Sequence, residues 1–150
     1  MGAAASTPSA RPKVAEGMTR ICVSGFGLSH NSGSARKVAD SIAKMYPDKY
    51  ETWYHFDTST FQGIFLPSIK TELSQEDQTK FAAHKSSPFC WTETADEKKA
   101  IGGRDDLCEW ALANFKNEQD EVFLKRCRTG PSLFSDLIFD NKSPGTAKTE

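Results

Sequence analysis

SSPFCWTETADEKKAIGGRDDL, the stretch from Ser86 to Leu107, decides the fold of this chain. Pro88 precedes a run of strand-forming residues, a polar turn follows, and a second short run ends at Ile101. Two short strands around a turn predict a β-hairpin. The two glycines that come next tolerate backbone dihedrals that other residues rarely adopt. The chain is therefore expected to leave the sheet at this point.

The residues after the glycines predict a helix with an acidic start. Asp105 and Asp106 fall in its first turn, where exposed amides and the helix dipole favour negative charge. Leu107, Trp110 and Phe115 then share one helical face, which predicts burial. The second half of the domain is thus predicted as a hairpin followed by a helix.

The first half predicts a strand, a helix and a second strand. Residues 20–25 alternate as in a strand, residues 26–34 are expected to form a loop, and a helical apolar spacing begins at Ala35. Pro47 ends that helix, and residues 50–56 are rich in aromatic strand formers. A crossover of this length predicts that the two strands pair in parallel.

Two further regions carry apolar residues outside this pattern. Residues 57–73 form a long link that either packs back onto the domain or presents a patch for a partner. Ser74 is expected to cap a helix that runs to about Lys85. Residues 118–139 contain two apolar segments, which are expected either to cover the sheet or to dock on another protein.

The stretch quoted above resembles the C-terminal half of a glutaredoxin. In that family a cis-proline opens the third strand, a hairpin follows, and a Gly-Gly-x-Asp/Ser-Asp-Leu turn begins the next helix; residues 86–88 and 101–107 match this pattern. The strand–helix–strand unit matches the opening of a thioredoxin fold, and the resemblance covers roughly residues 19–115. It implies an α/β, thioredoxin-like (glutaredoxin-type) four-stranded mixed sheet flanked by helices, with N- and C-terminal extensions.

The chain departs from this family where the family carries its Cys-x-x-Cys motif. Aligning the basic pair at positions 36 and 37 places four other residues on that motif, namely Ser32, Gly33, Ser34 and Ala35. A serine hydroxyl does not ionise there and forms no mixed disulfide, whereas the family's chemistry begins with a thiolate. Cys22 lies within the first strand and is a poor substitute. The sequence therefore predicts no catalytic residue and a redox-inactive protein.

The resemblance also implies a glutathione site. In glutaredoxins the residue before the cis-proline and the Gly-Gly turn hold glutathione, which pairs with the backbone like a short added strand. The residues carried over are Ser87, Pro88, Gly102, Gly103, Arg104 and Asp105. Arg104 replaces a residue that is often small, so it would either strengthen carboxylate binding or block the pocket. Alternatively, the proline and the glycines only preserve the fold, and no cofactor binds.

The N-terminus predicts a lipid-bearing tail. Met1-Gly-Ala-Ala-Ala-Ser6 fits the pattern for N-myristoylation at Gly2, and the alternative is a disordered tail that matches by chance. One myristoyl chain gives only reversible membrane attachment. The predicted division is a flexible tail over 1–17, a glutaredoxin-like domain over 18–117 and a C-terminal extension over 118–150.

Composition excludes several classes of function. The net charge of −1 argues against a nucleic-acid binder, and no apolar run is long enough to span a membrane. The four cysteines are scattered, without metal-ligand spacing, and only three histidines are present. The sequence thus predicts buried, reduced thiols in a cytoplasmic protein and no metal.

Three hypotheses for function follow. The preferred one is a redox-inactive scaffold or assembly subunit that binds a protein partner, attached to a membrane or part of a cytoskeletal assembly. The second is a glutathione-binding protein or residual thiol-disulfide oxidoreductase that depends on Cys22 or Cys90. The third, compatible with the first, is a membrane-proximal adaptor anchored through Gly2.

Overall fold

The structure, a computed structural model, describes residues 11–27, 29–115 and 121–130. Within these ranges the chain forms four strands: β1 (Thr19–Gly25), β2 (Tyr50–Phe56), β3 (Phe89–Glu93) and β4 (Lys98–Gly102). The α-helices in the same ranges are α1 (His30–Met45), α2 (Leu66–Thr71), α3 (Gln75–Lys80), α4 (Arg104–Phe115) and α5 (Glu121–Arg128). A π-helical turn, Phe61–Phe65, leads directly into α2.

The strands form one mixed sheet in the order β2-β1-β3-β4. β1 and β2 pair in parallel across the α1 crossover, whereas β3 is antiparallel to both β1 and β4. The predicted α/β class is confirmed: the chain has a thioredoxin-like fold with a four-stranded mixed sheet flanked by helices. The predicted hairpin and the acidic start of α4 are also present.

Long helices cover one side of the sheet, called here the α1 face. Because successive strand residues point to opposite sides, every second residue of each strand faces α1, α4 and α5. The buried strand side chains on this face are Ile21, Val23, Tyr54, Phe56 and Cys90. They pack against apolar positions of α1 at helical spacing, including Val38 and Ile42.

The opposite side of the sheet, called the α2 face, is largely aromatic. Its buried apolar strand side chains are Cys22, Trp53, Phe89 and Trp91. They are covered by the π-helical turn and α2, which contribute Phe61, Phe65, Leu66 and Ile69. The interpretation that the link over residues 57–73 packs back onto the domain therefore agrees with the structure. Ile64, at 62% exposure, is the exception in that link.

Two predicted boundaries differ from the structure. α1 begins at His30, five residues before the predicted start, because Ser29 caps it: the Ser29 Oγ accepts a hydrogen bond from the Ser32 amide at 3.2 Å. The expected loop over residues 26–34 is therefore wrong for its last five residues. Ser74 caps α3 as predicted, but the helix ends at Lys80 rather than near Lys85.

The two extensions pack closely wherever they are described. In α5, three buried side chains lie against the α1 face, namely Phe123, Leu124 and Cys127. The second apolar segment predicted within 118–139 lies outside the described residues from position 131 onward. At the other end, the side chain of Arg11 is only 4% exposed and Val14 is 5% exposed. The side chains of Arg11 and Val14 therefore pack on the domain, within the stretch predicted as a tail over 1–17.

Candidate functional site

The end of β1, the start of α1 and the proline turn converge at Gly25. The Ser87–Pro88 peptide bond is cis, as the resemblance implies. A Cβ atom at Gly25 would lie 2.4 Å from the Ser87 Oγ and 2.6 Å from the Ser32 Oγ. Only glycine leaves room for these two hydroxyls to approach the strand.

The two serines contact each other directly. The Ser32 Oγ lies 2.8 Å from the Ser87 Oγ, and the amide of Phe26 donates to the Ser87 Oγ at 2.9 Å. Ser32 is fully buried in the first turn of α1. The structure thus brings together two residues that lie 55 positions apart in the sequence, at the place where the resemblance expects a thiol to face the proline turn.

The hydroxyl of Ser32 has no activating group beside it in the part of the chain that the structure describes. Among the described residues, no histidine, aspartate or glutamate hydrogen-bonds the hydroxyl of Ser32, so no general base is placed to activate it. The helix N-terminus lowers the pKa of a thiol effectively, but a hydroxyl stays protonated at neutral pH. The hydroxyls of Ser32 and Ser87 therefore form a neutral hydrogen bond between α1 and the proline turn.

The cysteines lie elsewhere, and all four are buried. Cys22 sits in β1 on the α2 face, and burial together with the charge of Glu93 raises its pKa well above the usual range. Cys90 sits in β3 on the α1 face, where burial likewise raises its pKa well above the usual range. Neither thiol is at the start of α1.

The other two cysteines join α4 to α5. A hydrogen bond between the two thiols lowers the pKa of Cys108 and raises that of Cys127. Both side chains are almost fully buried. Their position follows from the docking of α5 on α4, far along the chain from the proline turn.

Four of the residues predicted to bind glutathione lie side by side, namely Ser87, Pro88, Gly102 and Gly103. A Cβ atom on Gly103 would be 3.8 Å from the carbonyl oxygen of Pro88, so the α4 start adjoins the Ser87–Pro88 turn. Gly102 has a φ of +123°, and the Gly103 amide donates to the Asp106 Oδ2 at 2.9 Å. Gly102 provides the turn, while the carboxylate of Asp106 caps α4.

Arg104, which the resemblance places in the glutathione site, bonds to groups of its own domain. Its Nε donates to the Ser34 Oγ at 3.0 Å, and a terminal nitrogen donates to the carbonyl oxygens of Arg126, at 3.2 Å, and of Thr129. A cation at the carbonyl end of α5 satisfies groups that the helix itself leaves unpaired. The guanidinium of Arg104 is thus an internal tie between α1, α4 and α5. Asp105, whose side chain is 87% exposed, accepts from Arg104 at 2.9 Å.

A cluster of buried charges on the α2 face was not predicted from the sequence. Its centre is Glu93, which lies 2.5 Å from Arg11 and 3.0 Å from Arg20. Burial alone raises the pKa of Glu93, but hydrogen bonds and charges, first those of Arg11, outweigh this and hold it below its usual range. Charged residues inside predicted strands were the signal: the register places Arg20 beside both Glu51 and Glu93.

No protein-family model matches this chain, and no curated protein matches it at a significant level. Within the described ranges, no group of three or more histidine, cysteine, aspartate or glutamate residues could hold a metal ion. In the same part of the chain, no helix has both the length and the apolar character needed to cross a membrane.

Proposed function

We propose that this protein is a divergent, redox-inactive relative of the glutaredoxins that serves as a scaffold or assembly subunit for a protein partner. One observation carries the proposal: the start of α1 faces the cis-proline turn with Ser32, whose hydroxyl bonds the hydroxyl of Ser87 at 2.8 Å. A fold of this kind without a thiol at that point keeps its shape and loses its nucleophile.

The buried thiols support the same proposal. Thiol–disulfide exchange requires an accessible thiolate, and burial raises the pKa of both Cys22 and Cys90. Reaching either sulfur would require displacing the helical segments that cover its face of the sheet, because both side chains are fully buried. A protein with this arrangement is better suited to binding than to turnover.

The test of redox inactivity is an assay of glutathione-dependent reduction of a mixed disulfide, with a dithiol glutaredoxin as the positive control. We expect no turnover above the uncatalysed rate for the full chain. The second hypothesis, a residual oxidoreductase, predicts turnover that disappears in Cys22→Ser or Cys90→Ser. Turnover of that kind would overturn the proposal.

Among the described residues, two exposed apolar side chains are candidates for contact with the partner. Ile64 in the π-helical turn is 62% exposed and Val122 in α5 is 68% exposed, while their apolar neighbours are buried. We expect Ile64→Asp to reduce recovery of a co-purifying protein from native tissue under mild detergent. Gln62→Asp, an exposed change in the same turn, should leave recovery unchanged. Recovery of the wild-type chain as a free monomer would count against the scaffold.

We further propose that a myristoyl chain on Gly2 attaches the scaffold to a membrane. Because Arg11 is held on the domain, the chain from Gly2 to Arg11 spans at most about 30 Å, which would keep the domain close to a bilayer. Gly2→Ala should move the protein into the soluble fraction. An unchanged distribution would remove the lipid from the proposal while leaving the scaffold intact.

Glutathione binding is the alternative, and the contact between the proline turn and the start of α4 favours it. The engagement of Arg104 by α5 speaks against a strong site, since that guanidinium already has four partners. An NMR titration with glutathione decides the matter. Saturable shifts at Ser87 and Gly103 would support the alternative, whereas no shift up to millimolar glutathione would exclude it.

A further inference from the structure

The chain's own Arg11 occupies a cage on the α2 face. Its guanidinium carbon lies 5.5 Å from the ring centre of Trp53 and 5.6 Å from that of Trp91. Its terminal nitrogen lies 2.5 Å from a carboxylate oxygen of Glu93 and 2.6 Å from one of Glu72. These four residues, two tryptophans and two glutamates, are called here the guanidinium cage.

Most of the cage is built by the sheet rather than by Arg11. Trp53 belongs to β2 and Trp91 to β3, and both stand on the α2 face because of strand alternation. Glu93 is oriented by two other donors, the indole Nε1 of Trp91 at 2.8 Å and the guanidinium of Arg20 at 3.0 Å. Trp53, Trp91 and Glu93, three of the four cage residues, are therefore held by contacts that do not involve Arg11.

The charges around the guanidinium cage favour the binding of a cation. Three carboxylates, those of Glu51, Glu72 and Glu93, face the guanidinium groups of Arg11 and Arg20, with the ammonium of Lys98 4.0 Å from Glu72 at the edge. Without Arg11 the negative charges outnumber the positive ones.

Two aromatic rings and carboxylate oxygens match a planar guanidinium group, which stacks on aromatic faces and forms paired hydrogen bonds to carboxylates. A compact ammonium holds its water more strongly and fits such a site less well.

The segment that carries Arg11 lies along an open cleft. The cleft has a volume of about 340 Å³ and is bordered by residues 11–14 and by the β3–β4 turn. Pro12 and Lys13 are exposed, whereas Val14 is buried. Residues 11–14, called here the strap, thus have two anchored positions with an exposed pair between them.

We propose that the cage is a guanidinium-binding site in its own right, which the strap fills in cis and which an arginine side chain of another peptide can fill when the strap is displaced. The proposal does not depend on the redox state of the protein or on the scaffold function. The tethered Arg11 competes at an effective concentration on the order of millimolar, so a ligand in solution meets an occupied site in the wild-type chain.

Chemical rescue tests the proposal on the full chain. Arg11→Ala should lower the thermal unfolding temperature, and methylguanidinium at millimolar concentration should raise it again and change tryptophan fluorescence in a saturable way. Methylammonium, with the same charge and a compact shape, should give less than a tenth of the response. Lys13→Ala, a matched change at an exposed strap residue, should behave as wild type.

A second variant tests the role of the Glu93 carboxylate, and it applies equally if Arg11→Ala is only weakly destabilised. In Arg11→Ala/Glu93→Gln the methylguanidinium response should fall at least tenfold, because the central carboxylate is gone. A peptide with the sequence of residues 8–16 should bind Arg11→Ala at least tenfold more tightly than the same peptide with its arginine replaced by alanine. Equal responses to the two cations, or equal binding of the two peptides, would overturn the proposal.

Discussion

The two faces of the sheet are built in different ways. The α1 face is closed by long helices whose apolar residues recur at helical spacing, and its core is mainly aliphatic. The α2 face is closed by short helical segments and an N-terminal strap, and it buries charges beside tryptophans. The first face is held mainly by non-directional burial, to which the hydrogen bonds of Arg104 are added, whereas the second depends on charged partners being present in matched positions. Each of the following substitutions tests this difference.

Trp91→Ala should have the largest effect. It removes a fully buried ring, the hydrogen bond to Glu93 and one wall around Arg11, so we expect a loss of about 5 kcal/mol in the free energy of unfolding. Phe56→Ala, a matched deletion on the α1 face, should cost about 4 kcal/mol. Urea denaturation measures both. A Trp91 loss no larger than that of Phe56 would mean that the polar contacts of the α2 face add nothing.

Glu93→Gln should cost about 3 kcal/mol at neutral pH, because it leaves two buried guanidinium groups short of a partner. The folded-state pKa of Glu93 is depressed, so its contribution is present above its unfolded pKa of about 4.3 and is lost as pH falls through the folded value.

Wild-type stability should therefore fall on acidification below about pH 4, and Glu93→Gln should show a smaller fall over the same range. Unfolding by urea across the acid range measures this difference. Parallel pH curves for the two proteins would contradict the assignment.

Arg104→Ala should cost about 2 kcal/mol, since charged hydrogen bonds to Ser34 and to the carbonyl end of α5 are lost together. Amide hydrogen exchange should rise in α5 more than in α1. Arg128→Ala, an exposed arginine at the end of the same helix, is the control and should change stability by less than about 0.5 kcal/mol. Unchanged exchange in α5 would show that apolar packing alone holds that helix.

Ser32→Ala should have the smallest effect, about 1 kcal/mol, because Ser87 keeps its bond from the Phe26 amide. Thermal unfolding measures it, with Ser41→Ala in the same helix as the matched control, since Ser41 bonds only to the backbone of its own helix. A loss above about 3 kcal/mol would mean that the hydroxyl pair organises the whole turn.

The residues of the proline turn show how far sequence reasoning reaches. The glutaredoxin resemblance aligns Ser32 with the family motif at the start of the first helix and Ser87 with the residue before the cis-proline, and the structure brings the two hydroxyls into contact. Arg104 was expected either to strengthen carboxylate binding or to block the pocket, and its bonds to the end of α5 could not be foreseen, because nothing in the sequence tells where a later helix docks. The start of α1 was missed because the cap residue Ser29 lies in a run of small polar residues that is also typical of a loop.

The sequence by itself determined the four strands and most of the helices, since these depend on local periodicity and turn residues. The four-stranded mixed sheet and the serine in place of a thiol at the start of α1 were expectations from the glutaredoxin resemblance, and the helical segments over residues 61–71 were not predicted. Only the tertiary structure decided that Arg11 lies between Trp53 and Trp91 beside Glu93. Strand alternation tells which residues share a face of the sheet, but it does not tell which charged residue from a distant part of the sequence packs against them. That choice depends on register, on desolvation and on the space left by the aromatic rings.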